Sequence, residues 1–152
     1  ITGVNANEKV TFDASEYAAE NPGGNLIDSS NDAAAGDAIV VHQISHGDFH
    51  TAAAVDAGAN VIYFTDTDKN AFSDFTFSYE LDANAGNAAD GIIAVFYDAD
   101  DGFANFGVIN DAGSTNDATF DSRTVQFTSY DEISMTVTDY GNLSAANFAI
   151  QA

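Results

Sequence analysis

Apolar and polar residues alternate with a period of two along most of this chain, the spacing that places every second side chain on one face of a β-strand. Lys9 to Asp13 reads KVTFD, and Asp37 to Ser45 reads DAIVVHQIS, an apolar strand with a polar end. Asn60 to Thr65 (NVIYFT) is rich in β-branched and aromatic residues, and Phe75, Phe77, Tyr79 and Leu81 alternate with polar partners. Gly91 to Tyr97 (GIIAVFY) is nearly all apolar, as a central strand covered on both faces must be. Phe103 to Ile109, Thr124 to Thr128 and Ile133 to Thr138 complete a set of about eight strands.

Gly, Asn, Asp and Ser gather between these runs, in Asn21 to Asn25, Asp28 to Asp37, Ala83 to Asp90 and Asn110 to Asp117. These residues tolerate positive φ and make local side-chain turns, so the segments read as loops. Helix is expected only in short pieces. His50 to Ala57 (HTAAAVDA) suits two turns closed by Gly58, Asp13 to Ala19 suits one or two, and Ser144 to Asn147 a single turn before a terminal strand, Phe148 to Ile150. The pattern predicts a mostly β fold, an antiparallel β-sandwich or β-roll with one or two short helices. At 152 residues and 45% hydrophobic the chain suffices for one buried core, and a single domain over 1–152 is expected. No fixed-period repeat and no linker divides it.

Charge changes the picture. Twenty-four acidic side chains face three basic ones, Lys9, Lys69 and Arg123, for a formal charge of −21. Nineteen of the acids are Asp and five are Glu. Asp is a turn residue and a compact ligand for hard cations, whereas Glu favours helices. Strong self-repulsion therefore has to be relieved by bound divalent cations, by salt, or by both. Three basic residues argue against nucleic-acid binding, which needs many phosphate contacts. No apolar stretch approaches the roughly 20 residues of a membrane helix, so membrane insertion is not expected. Eighteen aromatics separate the chain from disordered acidic tails. Cysteine is absent, which excludes disulfides and thiolate metal sites. The chain opens at Ile1 rather than Met, the start expected of a processed or partial chain.

Two clusters carry candidate cation chemistry. Asp98, Asp100 and Asp101 lie with Gly102 between two apolar runs, where a tight hairpin places Gly102 in the left-handed position. Three carboxylates in four positions repel one another unless a cation lies between them. Asp66, Asp68, Asn70 and Asp74 have the D-x-D-x-N spacing of the first half of an EF-hand loop. Ala71 stands where that loop needs Gly, and Phe77 where it needs a bidentate Glu, so a looser calcium loop is the remaining metal reading. His42, His46 and His50 recur every four residues, but Gly47 and Asp48 spoil the helix that would stack them as a Zn or Cu site. A strand ending near Ser45 and a loop are expected there instead. No G-x-S-x-G, H-E-x-x-H, P-loop or G-x-G-x-x-G pattern is present, and no enzymatic activity is expected.

The run AADGIIAVFYDADDGFANFGVINDAG, followed by a strand pair and then LSAANFAI, resembles modules of RTX-type calcium-binding surface proteins secreted by type I export. Ala89 to Asp98, Gly102 to Val108 and Leu143 to Ile150 carry the likeness, over roughly the C-terminal 60 residues. The glycine-rich nonapeptide repeats of those proteins are not here, so no residue is carried over as a calcium ligand. The resemblance implies an acidic, cysteine-poor extracellular β domain ordered by Ca²⁺, of the kind found in adhesins and surface layers.

The reading that follows is an extracellular or cell-surface structural protein, a filament or surface-layer subunit stabilised by calcium. Copies of the chain would join through terminal strands, because Ile1 to Val4 and Phe148 to Ile150 are apolar and a single Pro protects the strand edges poorly. The alternative is an adhesion or glycan-binding module of a larger secreted protein.

Overall fold

The structure, a computed structural model, describes residues 8–21, 26, 37–54, 59–80, 91–111, 119–121 and 125–151. Its centre is the strand Gly91–Asp98, in which every residue from Gly91 to Tyr97 is buried, as expected of a run apolar on both faces. In chain order the elements are β1 (Val10–Asp13), α1 (Ala14–Glu20), β2 (Val41–Ile44), β3 (Asp48–Ala54), β4 (Val61–Phe64), β5 (Phe77–Glu80), β6 (Gly91–Asp98), β7 (Phe103–Asp111), β8 (Thr119–Asp121), β9 (Val125–Ser134), α2 (Val137–Gly141) and β10 (Phe148–Gln151). Single 3₁₀ turns lie at Phe72–Asp74 and Ala145–Asn147. The fold is mostly β, as the alternation requires.

Five strands form the main sheet in the order β2-β4-β6-β7-β9. Its two faces support separate cores. Val61, Tyr63, Ile93, Val95 and Tyr97 point to one side, where Phe12, Tyr17, Tyr140, Phe148 and Ile150 cover them. Ile62, Phe64, Ile92, Ala94 and Phe96 point to the other, where Phe75 and Phe77 pack. The first side is roofed by α1, α2 and the two-stranded sheet β1-β10, and the second by the β3-β5-β8 sheet through Phe77. Strict period-two alternation along β4 and β6 divides one strand's side chains between the two cores.

Antiparallel pairing, expected throughout, holds for β6-β7, β7-β9 and β5-β8. The pairs β1-β10, β2-β4, β4-β6 and β3-β5 are parallel. Alternation along one strand says nothing about the direction of its neighbour; the connection decides it. Strands β2, β4 and β6 are separated in sequence by β3 and β5, which belong to another sheet, and such long crossovers return the chain in the same direction.

Two local expectations are corrected. Residues 50–54 of the expected helix His50 to Ala57 are part of β3, and residues 55–58 lie outside the described residues. The ladder to β5, which aligns Asp48 with Phe77 and Phe49 with Ser78, overrides the helix propensity of the alanines. Ile133 to Thr138 is not a separate strand: β9 runs to Ser134 and the chain then turns into α2. Thr136 caps that helix, its Oγ accepting from the Asp139 N–H at 3.1 Å and donating to Asp139 Oδ2 at 2.8 Å. Helix α1 and the turn before β10 form as expected. Asp13 caps α1 by accepting from the N–H groups of Ser15 (2.9 Å) and Glu16 (3.0 Å). These bonds, the one from Glu16 first, hold its carboxyl below the usual range. The expected loops lie mostly outside the described residues, at 22–25, 28–36, 83–90 and 112–117.

Strand β9 carries a bulge. Phe106 pairs with Asp131 and Gly107 with Ser129, so Tyr130 is the extra residue. One extra residue reverses the alternation beyond it. Phe127, before the bulge, packs on one core, and Ile133, six positions later, on the other. Gly107 lets β9 approach: a Cβ there would lie 2.1 Å from the Thr128 carbonyl oxygen.

Candidate functional site

Because β2, β4 and β6 are parallel, their carboxyl ends share one edge of the main sheet. Both candidate acidic segments begin at that edge. Asp66, Asp68, Asn70 and Asp74 follow β4, while Asp98 closes β6 and Asp100 and Asp101 form its hairpin to β7. The Ala99 N–H donates to the Lys69 carbonyl at 2.8 Å, tying the two loops together. The loop after β2 joins them, since the His46 N–H donates to Asp66 Oδ2 at 2.6 Å. Segments distant in sequence thus converge on one acidic edge.

The carboxylates are partly engaged in local turns. Asp98 Oδ1 accepts from the N–H groups of Asp100 (3.0 Å) and Asp101 (3.3 Å), and the Gly102 N–H donates to the Asp98 carbonyl at 3.0 Å. Gly102 has φ +71°, the left-handed position expected of it. Asp74 Oδ2 accepts from the Asn70 N–H at 3.1 Å. Asp68 Oδ1 lies 3.0 Å from Lys69 Nζ, and that hydrogen bond, then the ammonium charge, lowers its pKa. Asp68, Asn70, Asp74, Asp100 and Asp101 are exposed, whereas Asp66 and Asp98 are half-buried. Among the described residues no three His, Asp or Glu side chains stand in a ready-made metal cage. The edge therefore gathers the oxygens by loop without closing them around one point.

The three histidines fall on different elements. His42 is half-buried on β2, His46 is in the turn after it, and His50 belongs to β3. His46 Nδ1 accepts from the Thr76 N–H at 3.3 Å, so this imidazole fastens the β2-β3 turn to the segment before β5.

A tyrosine set under the acidic edge holds the strand ends, and the sequence reading missed it. Tyr140 of α2 is fully buried, and its hydroxyl donates toward the carbonyls of Phe64 and Val95 (3.2 Å to the latter), where the β4-β6 ladder ends. Its ring stacks on Tyr63 at 4.8 Å, and the Tyr63 hydroxyl donates to the Tyr140 carbonyl at 2.9 Å. Burial pushes the Tyr63 phenol up to about 12 and the Tyr140 phenol well above its ordinary value. The Tyr97 hydroxyl donates to the Met135 carbonyl at 3.2 Å. The T-x-x-D spacing from Thr136 to Asp139 is the signal that announces α2, and with it Tyr140.

A second feature lies over β7 and β9. The outer edges of β1 and β9 have no strand partner among the described residues. Between them runs a groove of about 480 Å³, floored by Phe106, Val108 and Ile133 and rimmed by Tyr130, Asp131 and Glu16. It continues past Lys9 and Val10 into a smaller hollow of about 260 Å³ near Met135 and Leu143. Tyr130, moved out of register by the bulge, is 43% exposed.

The C-terminal apolar residues have a partner within the chain. Strand β10 pairs with β1, Phe148 opposite Val10 and Ile150 opposite Phe12, and both β10 side chains are buried. Asn147 locks the two ends together, donating to the Glu8 carbonyl at 3.1 Å and accepting from the Ser144 N–H at 3.0 Å. Among the described residues no helix is long and apolar enough to cross a membrane. Comparison with protein-family models, with curated proteins and with solved structures finds no match to this chain.

Proposed function

We propose that this chain is an extracellular, self-assembling structural subunit, of a filament or surface layer, whose folded state is stabilised by Ca²⁺ at the acidic edge. The observation that carries the reading is the Ala99–Lys69 hydrogen bond, which brings the Asp66–Asp74 and Asp98–Asp101 loops side by side. Carboxylates from separate segments on one edge repel in the folded state and less so in the extended chain. A divalent cation bridging the loops removes that repulsion and favours the fold by mass action. The outer edges of β1 and β9, without a strand partner among the described residues, supply surfaces for joining copies. An adhesion module would be favoured by a concave face lined with tyrosines; among the described residues the groove has one exposed tyrosine, Tyr130.

The test is a set of thermal melts in chelator, in millimolar Ca²⁺, and in NaCl of matching ionic strength. Free Ca²⁺ a hundredfold above its dissociation constant stabilises by about 2.7 kcal/mol. For a chain of this size that raises the midpoint by roughly 5–11 °C. An equal rise in NaCl would leave only diffuse screening of an acidic surface. Sedimentation of the intact protein at micromolar concentration with Ca²⁺ reads the assembly arm, and a monomer would refute it.

A further inference from the structure

We infer that the groove between β1 and β9 receives the Ile1–Val4 segment of a second copy, added as a strand to the outer edge of β1, and that two copies exchange these segments reciprocally. This rests on the assembly reading and names its first contact.

The groove has the two properties that strand addition needs. Strand β1 offers an edge of backbone donors and acceptors with no partner among the described residues, and beneath it lies an apolar floor of Phe106, Val108 and Ile133. An added strand gains ladder hydrogen bonds on one side and pockets for alternate side chains below. Charge selects the occupant. Among the described residues, Asp13, Glu16 and Asp131 line the groove against one cation, Lys9, so an acidic strand is repelled. Most of this chain is acidic, but Ile1 to Asn7 (ITGVNAN) has no charged side chain and supplies β-branched Ile1, Thr2 and Val4. Four extended residues span about 13 Å, the length of the four-residue strand they would pair with.

The described chain starts at Glu8, which lines the smaller hollow that shares Lys9 and Val10 with the groove. Donor and acceptor are therefore neighbours on each subunit. Two copies can satisfy both at once, and the product is a two-fold pair, the closed arrangement of an isologous contact. Growth beyond the pair then falls to another surface, and the outer edge of the ten-residue β9, which has no strand partner among the described residues, is the one assigned to it.

The chain has no cysteine, which gives a clean background for cross-linking. Full-length Val4→Cys and Tyr130→Cys proteins are mixed with Ca²⁺ under mild oxidation and run on a non-reducing gel. Docking raises the local thiol concentration from micromolar to roughly millimolar, so the mixed disulfide should form at least about a hundredfold faster than between Val4→Cys and an exposed control, Asp68→Cys. Deleting Ile1 to Val4 should convert the sedimenting pair to a folded monomer. If the intact protein assembles but the pair cross-links no faster than the control, the groove assignment falls and the assembly reading stands. If the intact protein sediments as a monomer, both fall. A Val4→Cys/Tyr130→Cys double variant that cross-links only within one chain also overturns the proposal, because the segment then fills its own groove.

Discussion

Replacing Tyr140 by Phe removes one oxygen atom and tests how the acidic edge is held together. The ring keeps its place between Tyr63 and Tyr97, with centroids 4.8 and 5.3 Å away, so the packing change is small. What is lost is the hydroxyl that donates toward the Phe64 and Val95 carbonyls at the end of the β4-β6 ladder. Leaving buried carbonyls short of a donor costs about 1–3 kcal/mol. At a central value of about 2 kcal/mol, the midpoint of a chain this size falls by roughly 4–8 °C. Alkaline titration provides an independent arm. Burial raises both Tyr140 and Tyr63 above their unfolded value, Tyr63 to about 12. Above pH 10 the unfolded chain gives up these protons while the folded chain keeps them, so the unfolded state gains and stability falls as pH rises. Full stability is thus present below about pH 10, and each such phenol removes up to about 1.4 kcal/mol per pH unit above it. Tyr140→Phe should abolish one phenol's share of that slope. The Tyr63 share stays, because burial is its main cause, the Tyr140 side chain only lowers it, and its hydroxyl still donates to the Tyr140 backbone carbonyl. Urea melts from pH 8 to 11.5 measure both arms. A variant within about 0.5 kcal/mol of the parent at pH 8, with an unchanged alkaline slope, would refute this account of the tyrosine set.

Three further outcomes follow from the packing. Gly107→Ala should cost about 3 kcal/mol or prevent folding, read by circular dichroism, because the new Cβ meets the Thr128 carbonyl oxygen at 2.1 Å, a backbone atom that no rotamer change moves aside. Phe148→Ala should destabilise by about 3–5 kcal/mol in denaturant melts, since this side chain is 1% exposed in the core under β1. Removing the last five residues should then unfold the subunit, whereas removing Ile1 to Val4 should leave it folded. Asn147→Ala should cost about 1–3 kcal/mol by removing the hydrogen bonds this buried side chain makes to the Glu8 carbonyl and from the Ser144 N–H, and hydrogen exchange should rise first in β1 and β10.

The contrast between Asn147 and the acidic loops bears on what is legible in a sequence. Asp98 to Gly102 could be read directly, because a hairpin depends on residues adjacent in the chain and Gly102 is the one that accepts a positive φ. The convergence of that hairpin with Asp66 to Asp74 could not be read. It requires β4 and β6 to run parallel, and neither strand's alternation records its partner's direction. The bulge at Tyr130 was hidden for a related reason: VQFTSYDEIS gives no sign of where one residue is skipped, since the skip exists only in the pairing with Phe106 and Gly107 on the neighbouring strand.

By itself, then, the sequence determined what is local. Alternation specified β-strands, GIIAVFY specified a strand buried on both faces, and Asp13 and Ser144 marked where helical turns begin. Tertiary structure decided what depends on pairing. It made β3 a strand despite its alanines, placed β10 beside β1, drew the acidic loops to one edge and left the outer edge of β1 without a strand partner among the described residues, above an apolar groove. The physical reason is that a ladder's free energy resides in two segments at once, and a single segment carries only its own half of that information.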